Sequence, residues 1–151
     1  MVTLHKILSA YDSAHYASEK GTQTHARLQG IRIDGKNTTG DSELVQIIQK
    51  HPELVPFFGS DSKTEVPIAA TINKRFISRR IDRLVIDATN KTIKILDYKT
   101  DINRTVRHDR YVNQLCEYAT VLHAIYPDYK ILAYILWTHD FSLENVPVKS
   151  L

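Results

Sequence analysis

The chain has 151 residues, 42% apolar and 25% charged, the proportions of a folded globular protein rather than a disordered or fibrous one. At this length a single core buries about two thirds of the unfolded surface. A net charge of +3 is only a mild pointer to a polyanionic partner, and the single cysteine, Cys116, excludes an intramolecular disulfide framework and suits a reducing cytoplasm. The longest apolar run, Ile131 to Trp137, is too short to cross a bilayer. No continuous apolar stretch of signal-peptide type opens the chain. The expectation is therefore a cytoplasmic protein with no membrane association.

In chain order, Leu4, Ile7, Leu8 and Tyr11 recur at helical spacing, which predicts an N-terminal helical segment over residues 1–20 and one globular domain over residues 21–151. Thr22 or Thr24 is expected to cap a second helix carrying His25, Leu28 and Ile31. The stretch Asp34 to Asp41, with Gly35, Asn37 and Gly40, reads as a loop. Asp41 then caps a helix bearing Leu44, Val45, Ile47 and Ile48, which Pro52 and Pro56 bring to a close. Glu65 falls on the first strand, where Pro67 points to a sheet edge. Two β-like runs, Phe76 to Asp87 and Thr92 to Thr100, flank the turn formers Asp87, Thr89 and Asn90 and predict an antiparallel hairpin. Asp109 is expected to cap a long helix with the stripe Tyr111, Leu115, Tyr118, Leu122 and Ile125. Pro127 stops it, and Lys130 to Trp137 forms a last strand. There is no internal repeat, and no G-x-x-x-x-G-K-[ST] phosphate loop, so the chain carries no motor of its own.

The central hairpin carries the chemistry. Asp97 and Lys99, two apart on a strand, point to one face, and the pairing brings Asp82 within reach. Two carboxylates and an ammonium there form a site for a hard divalent cation, which takes oxygen ligands, with a charge-stabilising lysine beside it. The plain alternative is a strand-end ion pair next to a solvated carboxylate. Against it, Asp97 closes the apolar run Ile93-x-Ile95-Leu96, and the centre is bracketed by basic groups. Lys74, Arg75, Arg79, Arg80 and Arg83 precede it; Arg104, Arg107, His108 and Arg110 follow, where a phosphate backbone would lie. A two-carboxylate glycosidase is disfavoured, having no need of Lys99 or the arginines.

Five blocks in order resemble the PD-(D/E)xK nuclease superfamily, and within it the RecB and AddA C-terminal exonuclease domains and their Cas4 relatives. Gly21-Thr22-Gln23-Thr24-His25 is similar to the G-x-x-x-H helix start. Thr64-Glu65-Val66-Pro67 is similar to the E-x-P strand, and Ile81-Asp82-Arg83-Leu84 to the I-D-R-L strand. Asp97-Tyr98-Lys99-Thr100 matches D-Y-K-T, and Tyr111 to Tyr118 matches the Y-x-x-Q-L-x-x-Y helix. The resemblance runs from about Gly21 to about Pro147. Ser78, Arg79 and Arg80 stand where many relatives have a glycine, and with one cysteine no iron–sulfur cluster is possible, as in the cluster-free branch.

The resemblance implies an α/β restriction-endonuclease-like core, a central mixed β-sheet flanked by helices. It also implies a Mg²⁺- or Mn²⁺-dependent DNA nuclease acting on single-stranded DNA or DNA ends in repair and recombination. Asp82, Asp97, His25 and the backbone carbonyl of Tyr98 would hold the metal. Lys99 would position the attacking water, help to deprotonate it, or neutralise developing charge. Glu65 would orient a ligand or Lys99, or else be a strand-end surface carboxylate. Gln114 would reach the lysine or a phosphate oxygen, and Tyr118, on the same helix face, would pack or contact DNA. Arg79, Arg80, Arg83, Thr100, Arg107 and Arg110 are the expected DNA contacts. The competing class is a catalytically weak DNA-binding module of the same fold within a helicase–nuclease assembly, so a helicase or another repair protein is a candidate partner.

Overall fold

A computed structural model of the protein describes residues 21–149. The expected N-terminal helical segment over residues 1–20 lies outside them. Residues 21–29 are helical (α1), so Thr22 and Thr24 sit within the helix rather than at its cap, and Ile31 falls just past its end. The expected loop from Asp34 to Asp41 contains part of a small hairpin, β1 (Arg32–Asp34) and β2 (Asn37–Thr39). Strands of three residues are too short to register an alternating pattern, and Gly35, at φ +62°, makes their turn. Asp41 caps α2 (Ser42–Gln49) as expected, its Oδ1 accepting from Leu44 N at 3.1 Å. Beyond α2, a 3₁₀ turn, Val55–Phe58, buries Phe57 and Phe58.

Five strands then form one sheet in sequence order: β3 (Ser62–Ile72), β4 (Arg75–Asp87), β5 (Thr92–Lys99), β6 (Lys130–Trp137) and β7 (Ser142–Val146). Neighbours are antiparallel except β5 and β6, which are parallel. A parallel pair needs a crossover, and α3 (His108–Ile125) supplies it. The chain is thus α/β, with a mixed central sheet flanked by helices, compatible with a restriction-endonuclease-like core. Pro67 lies on the edge strand β3, where its missing N–H costs least. The strand β7 goes unsignalled by the sequence, since Glu144 and Asn145 interrupt any apolar alternation. Arg107, not Asp109, occupies the cap position of α3; Asp109 lies in the first turn, where a negative charge suits the helix dipole. Ile125, in the last turn, is 46% exposed and leaves the stripe.

The core has two layers. On one face of the sheet α3 packs Leu115, Val121 and Leu122 against Ile93, Ile95, Ala133 and Ile135. On the other, Leu28, Ile48, Leu54 and Phe58 cover Leu96 and Tyr98. β5, paired on both sides, buries both its faces: Ile93 and Ile95 lie in one layer of the core and Leu96 and Tyr98 in the other. Its residues 93, 95, 97 and 99 face α3. On β4 the alternation slips: Ile81 and Leu84, three apart, both pack on the α3 side, where strict alternation would separate them. Across from the slip, Glu65 has φ +50°, and the ladder skips the Glu65–Asp82 position between Thr64–Arg83 and Val66–Ile81. A left-handed backbone at a residue with a side chain costs about 1–2 kcal/mol. That strain sits beside Asp82, as strained backbone tends to sit at functional sites.

Candidate active site on the central sheet

Four elements converge at the C-terminal end of β5. Asp82, on β4, accepts from the backbone N–H of Tyr98 at 2.9 Å through Oδ2, and its Oδ1 lies 3.8 Å from His25 Nδ1. The imidazole comes from α1, with Nε2 donating to the Tyr98 carbonyl oxygen at 3.1 Å. Lys99 Nζ is 2.8 Å from Asp97 Oδ2, donates to Gln114 Oε1 of α3 at 2.9 Å, and rests 4.2 Å from the centre of the Tyr111 ring. Gly21 of α1 lies against Thr100, and a Cβ there would make only an ordinary contact with the Thr100 side chain, at 3.4 Å from Oγ1.

The electrostatics are those of crowded carboxylates. Asp82 is pushed up from 3.8 to about 8, first by burial and then by the charge of Asp97. Burial also drives the His25 imidazole below its ordinary value, against the pull of Asp97, and so favours the neutral form that ligates metals. Asp97 Oδ2 is buried, and apart from its ion pair with Lys99 it has no well-directed hydrogen bond. Among the described residues no three His, Cys, Asp or Glu side chains stand close enough to form a closed metal cage. An open site for a hard cation asks less, one or two carboxylates completed by water and substrate. Two crowded carboxylates facing a single ammonium fit that requirement.

The raised Asp82 has a measurable consequence in metal-free protein. Unfolded, this carboxyl ionises near 4; folded, it holds its proton to about 8. Between those values the native state binds the extra proton, so stability falls as pH rises. Melting temperatures in EDTA should decline from pH 5 to pH 8, and Asp82→Asn, which keeps an acceptor for Tyr98 N–H, should flatten the decline. An unaltered slope in that variant would assign the effect to other groups.

Of the expected DNA contacts, Arg80 is largely exposed, 3.8 Å from Glu65. Glu65 in turn contributes its charge to the surroundings of His25. Arg107 and Arg110 are exposed at the start of α3, Arg107 lying 3.9 Å from Asp101. Arg79 is engaged by Glu117 of α3, and Thr100 is half-buried under α1. Two assignments are corrected. Arg83 is 2% exposed; next to Asp82 on an extended strand, it points through the sheet to the opposite layer and cannot reach DNA. Tyr118 is 4% exposed within the α3 layer, so it packs and offers no surface to a strand of DNA. Its hydroxyl is raised chiefly by burial and then by the charges of Asp97 and Asp82. In the second basic group, Arg104 pairs with Asp140 above Trp137, and His108 with Glu144, so neither stands free beside the site.

The sequence missed the part of Tyr111. Its ring forms a wall for the Lys99 ammonium, and its hydroxyl donates to Asp101 at 2.8 Å. The available signal was its spacing of three residues from Gln114, which puts both on one helix face. No protein-family model matches the chain, and no match to it is found among curated proteins.

Proposed function

We propose that the protein is a metal-dependent deoxyribonuclease of the PD-(D/E)xK type, similar to RecB and AddA exonuclease domains. In this reading it hydrolyses phosphodiester bonds with Mg²⁺ or Mn²⁺ in DNA repair or recombination end processing. The observation that carries the reading is the convergence of Asp82, Asp97, His25, the Tyr98 carbonyl and Lys99 at one end of β5. A bound divalent cation would polarise the scissile phosphate and lower the pKa of water. Asp82 and Asp97 would hold it, with His25 and the Tyr98 carbonyl beside them. Lys99 is surrounded by a carboxylate, an amide oxygen and an aromatic face, the surroundings of an ammonium. Its part is therefore to orient the attacking water and neutralise charge developing on the phosphate rather than to accept a proton. Gln114 fixes that ammonium, and Arg80, Arg107 and Arg110 would contact phosphates.

The second reading is a DNA-binding module of the same fold with little chemistry, in which the ion pair of Asp97 with Lys99 and the lysine's bond to Gln114 serve only to tie β5 to α3. Incubating the protein with single-stranded, duplex and plasmid DNA in Mn²⁺, Mg²⁺ or EDTA separates the two. Cleavage abolished by EDTA supports the nuclease; binding without cleavage in either metal supports the module.

The His25 assignment has its own test. Loss of an imidazole from a site that keeps two carboxylates weakens metal binding without abolishing it, so excess metal should refill the site. His25→Ala should shift the Mn²⁺ requirement for cleavage upward by about tenfold or more, with Mn²⁺ rescuing better than Mg²⁺. Identical titration midpoints accompanied by a lowered melting temperature would make His25 a packing residue.

A further inference from the structure

Beyond the site, β3 and β4 continue as a two-stranded ribbon to a tight turn at Asn73 and Lys74, both at positive φ. The two faces of the ribbon differ. Ile68 and Ile77 pack under α3, and Arg79 pairs with Glu117 there. On the reverse face Pro67, Ala69 and Thr71 stand opposite Arg80, Ser78 and Phe76. All six are exposed, and the core layer built by α1 and α2 includes none of them.

This face, uncovered among the described residues, has a definite chemistry. Between Glu65 and Asp82 the chain carries Lys74, Arg75, Arg79 and Arg80 and no carboxylate. Phe76 is 69% exposed and follows directly on Lys74 and Arg75 at the turn. Alanine, serine and threonine in the middle keep the surface low, so that another backbone can lie close. Arg80 begins the face next to the site, and Phe76 ends it six residues from Asp82, about 20 Å away by the rise of an extended strand. A cationic groove with an aromatic platform is how sequence-tolerant proteins hold unpaired bases. A duplex offers phosphates but keeps its base faces stacked.

We propose that this ribbon face is a track for single-stranded DNA running to or from the site, with Phe76 stacking on a base and Lys74 and Arg80 contacting phosphates. The proposal rests on the nuclease reading of the site and adds to it the surface along which the strand lies outside the site. Phe76 is exposed, so its replacement should leave the fold intact, and Trp137 is fully buried, so an indole introduced by Phe76→Trp reports separately.

The test is binding in EDTA, where no DNA is cut. The probes are an oligo(dT) long enough to span site and ribbon, a short one that fills the site alone, and a duplex. Phe76→Ala should weaken the long strand about tenfold and leave the short one unchanged. Fluorescence of Phe76→Trp should be quenched by the long strand and not by the duplex. Wild-type affinity of Phe76→Ala for the long strand overturns the track, as does equal quenching by duplex. A Phe76→Ala effect confined to self-association in sedimentation also overturns it, making the face an interface between copies. Failure of the two readings is distinguishable: quenching without any cleavage in Mn²⁺ supports the track while removing the nuclease, and cleavage without quenching removes the track alone.

Discussion

Asp82→Ala, Asp97→Ala and Lys99→Ala should each lower DNA cleavage by about 10²–10⁴-fold, the range for removing a positioned catalytic or charge-stabilising group. Folding should respond quite differently. Asp82 and Asp97 repel one another in a buried setting, and relieving that repulsion offsets the lost hydrogen bond from Tyr98 N–H. In EDTA the carboxylate variants should therefore melt at or above the wild-type temperature at pH 8. Lys99→Ala should melt lower, since it leaves both carboxylates without their ammonium. The groups act as a unit, so the Asp82/Asp97 double variant should be barely worse than either single one. Cleavage rates in Mn²⁺ and melting curves, run in parallel, check both halves. Near wild-type cutting by Asp97→Ala would sink the assignment of the site.

Arg83 should show the reverse pattern, a large effect on folding with none that is specific to chemistry. Its guanidinium lies over the Phe58 ring at 4.3 Å and donates to the Tyr98 hydroxyl at 2.8 Å and Ser62 Oγ at 2.9 Å. It also donates to the carbonyls of Leu28 at 2.9 Å and Ile31 at 3.2 Å. It thereby ties α1, the segment after it and β3 to the back of the strand that carries Asp97 and Lys99. Truncation leaves several buried acceptors unpaired and a cavity beside Phe58. Arg83→Ala should cost roughly 3–5 kcal/mol, a large share of the stability of a domain this size. Arg83→Lys should rescue little, because an ammonium cannot span those partners as a planar fork does. Arg83→Met, which refills the volume, should lose less than alanine. Urea unfolding of the three variants gives the order. An Arg83→Ala protein as stable as wild type, but weakened in DNA binding, would return this residue to the surface.

Local sequence carried the site further than it carried the fold around it. Asp97 and Lys99 lie two apart on one strand, so their shared face follows from backbone geometry alone. A short turn ties β5 to β4, which brought Asp82 into the same picture before any contact was known. The capping of α2 by Asp41, the edge position of Pro67 and the run of α3 up to Pro127 are equally local, and all three were legible. The chain therefore determined by itself an α/β sequence of elements with a paired-carboxylate and lysine centre on its central hairpin.

Tertiary structure decided which neighbours of that centre belong to it. Arg83 stands beside Asp82 in sequence but on the opposite side of the sheet, and only the layer formed by Leu28, Phe58 and Tyr98 makes it a buried tie rather than a DNA contact. Tyr118 shares a helix face with Gln114, yet the way α3 lies against the sheet buries one and leaves the other at Lys99. Tyr111 became part of the lysine's surroundings by the same packing. The slip in alternation at Ile81–Asp82 and the left-handed Glu65 across from it are a break in the pairing of two strands, which the pattern of neither strand alone reports. Periodicity in one strand reports that strand's own pleat, whereas register, burial and the choice between two faces depend on what is packed against them.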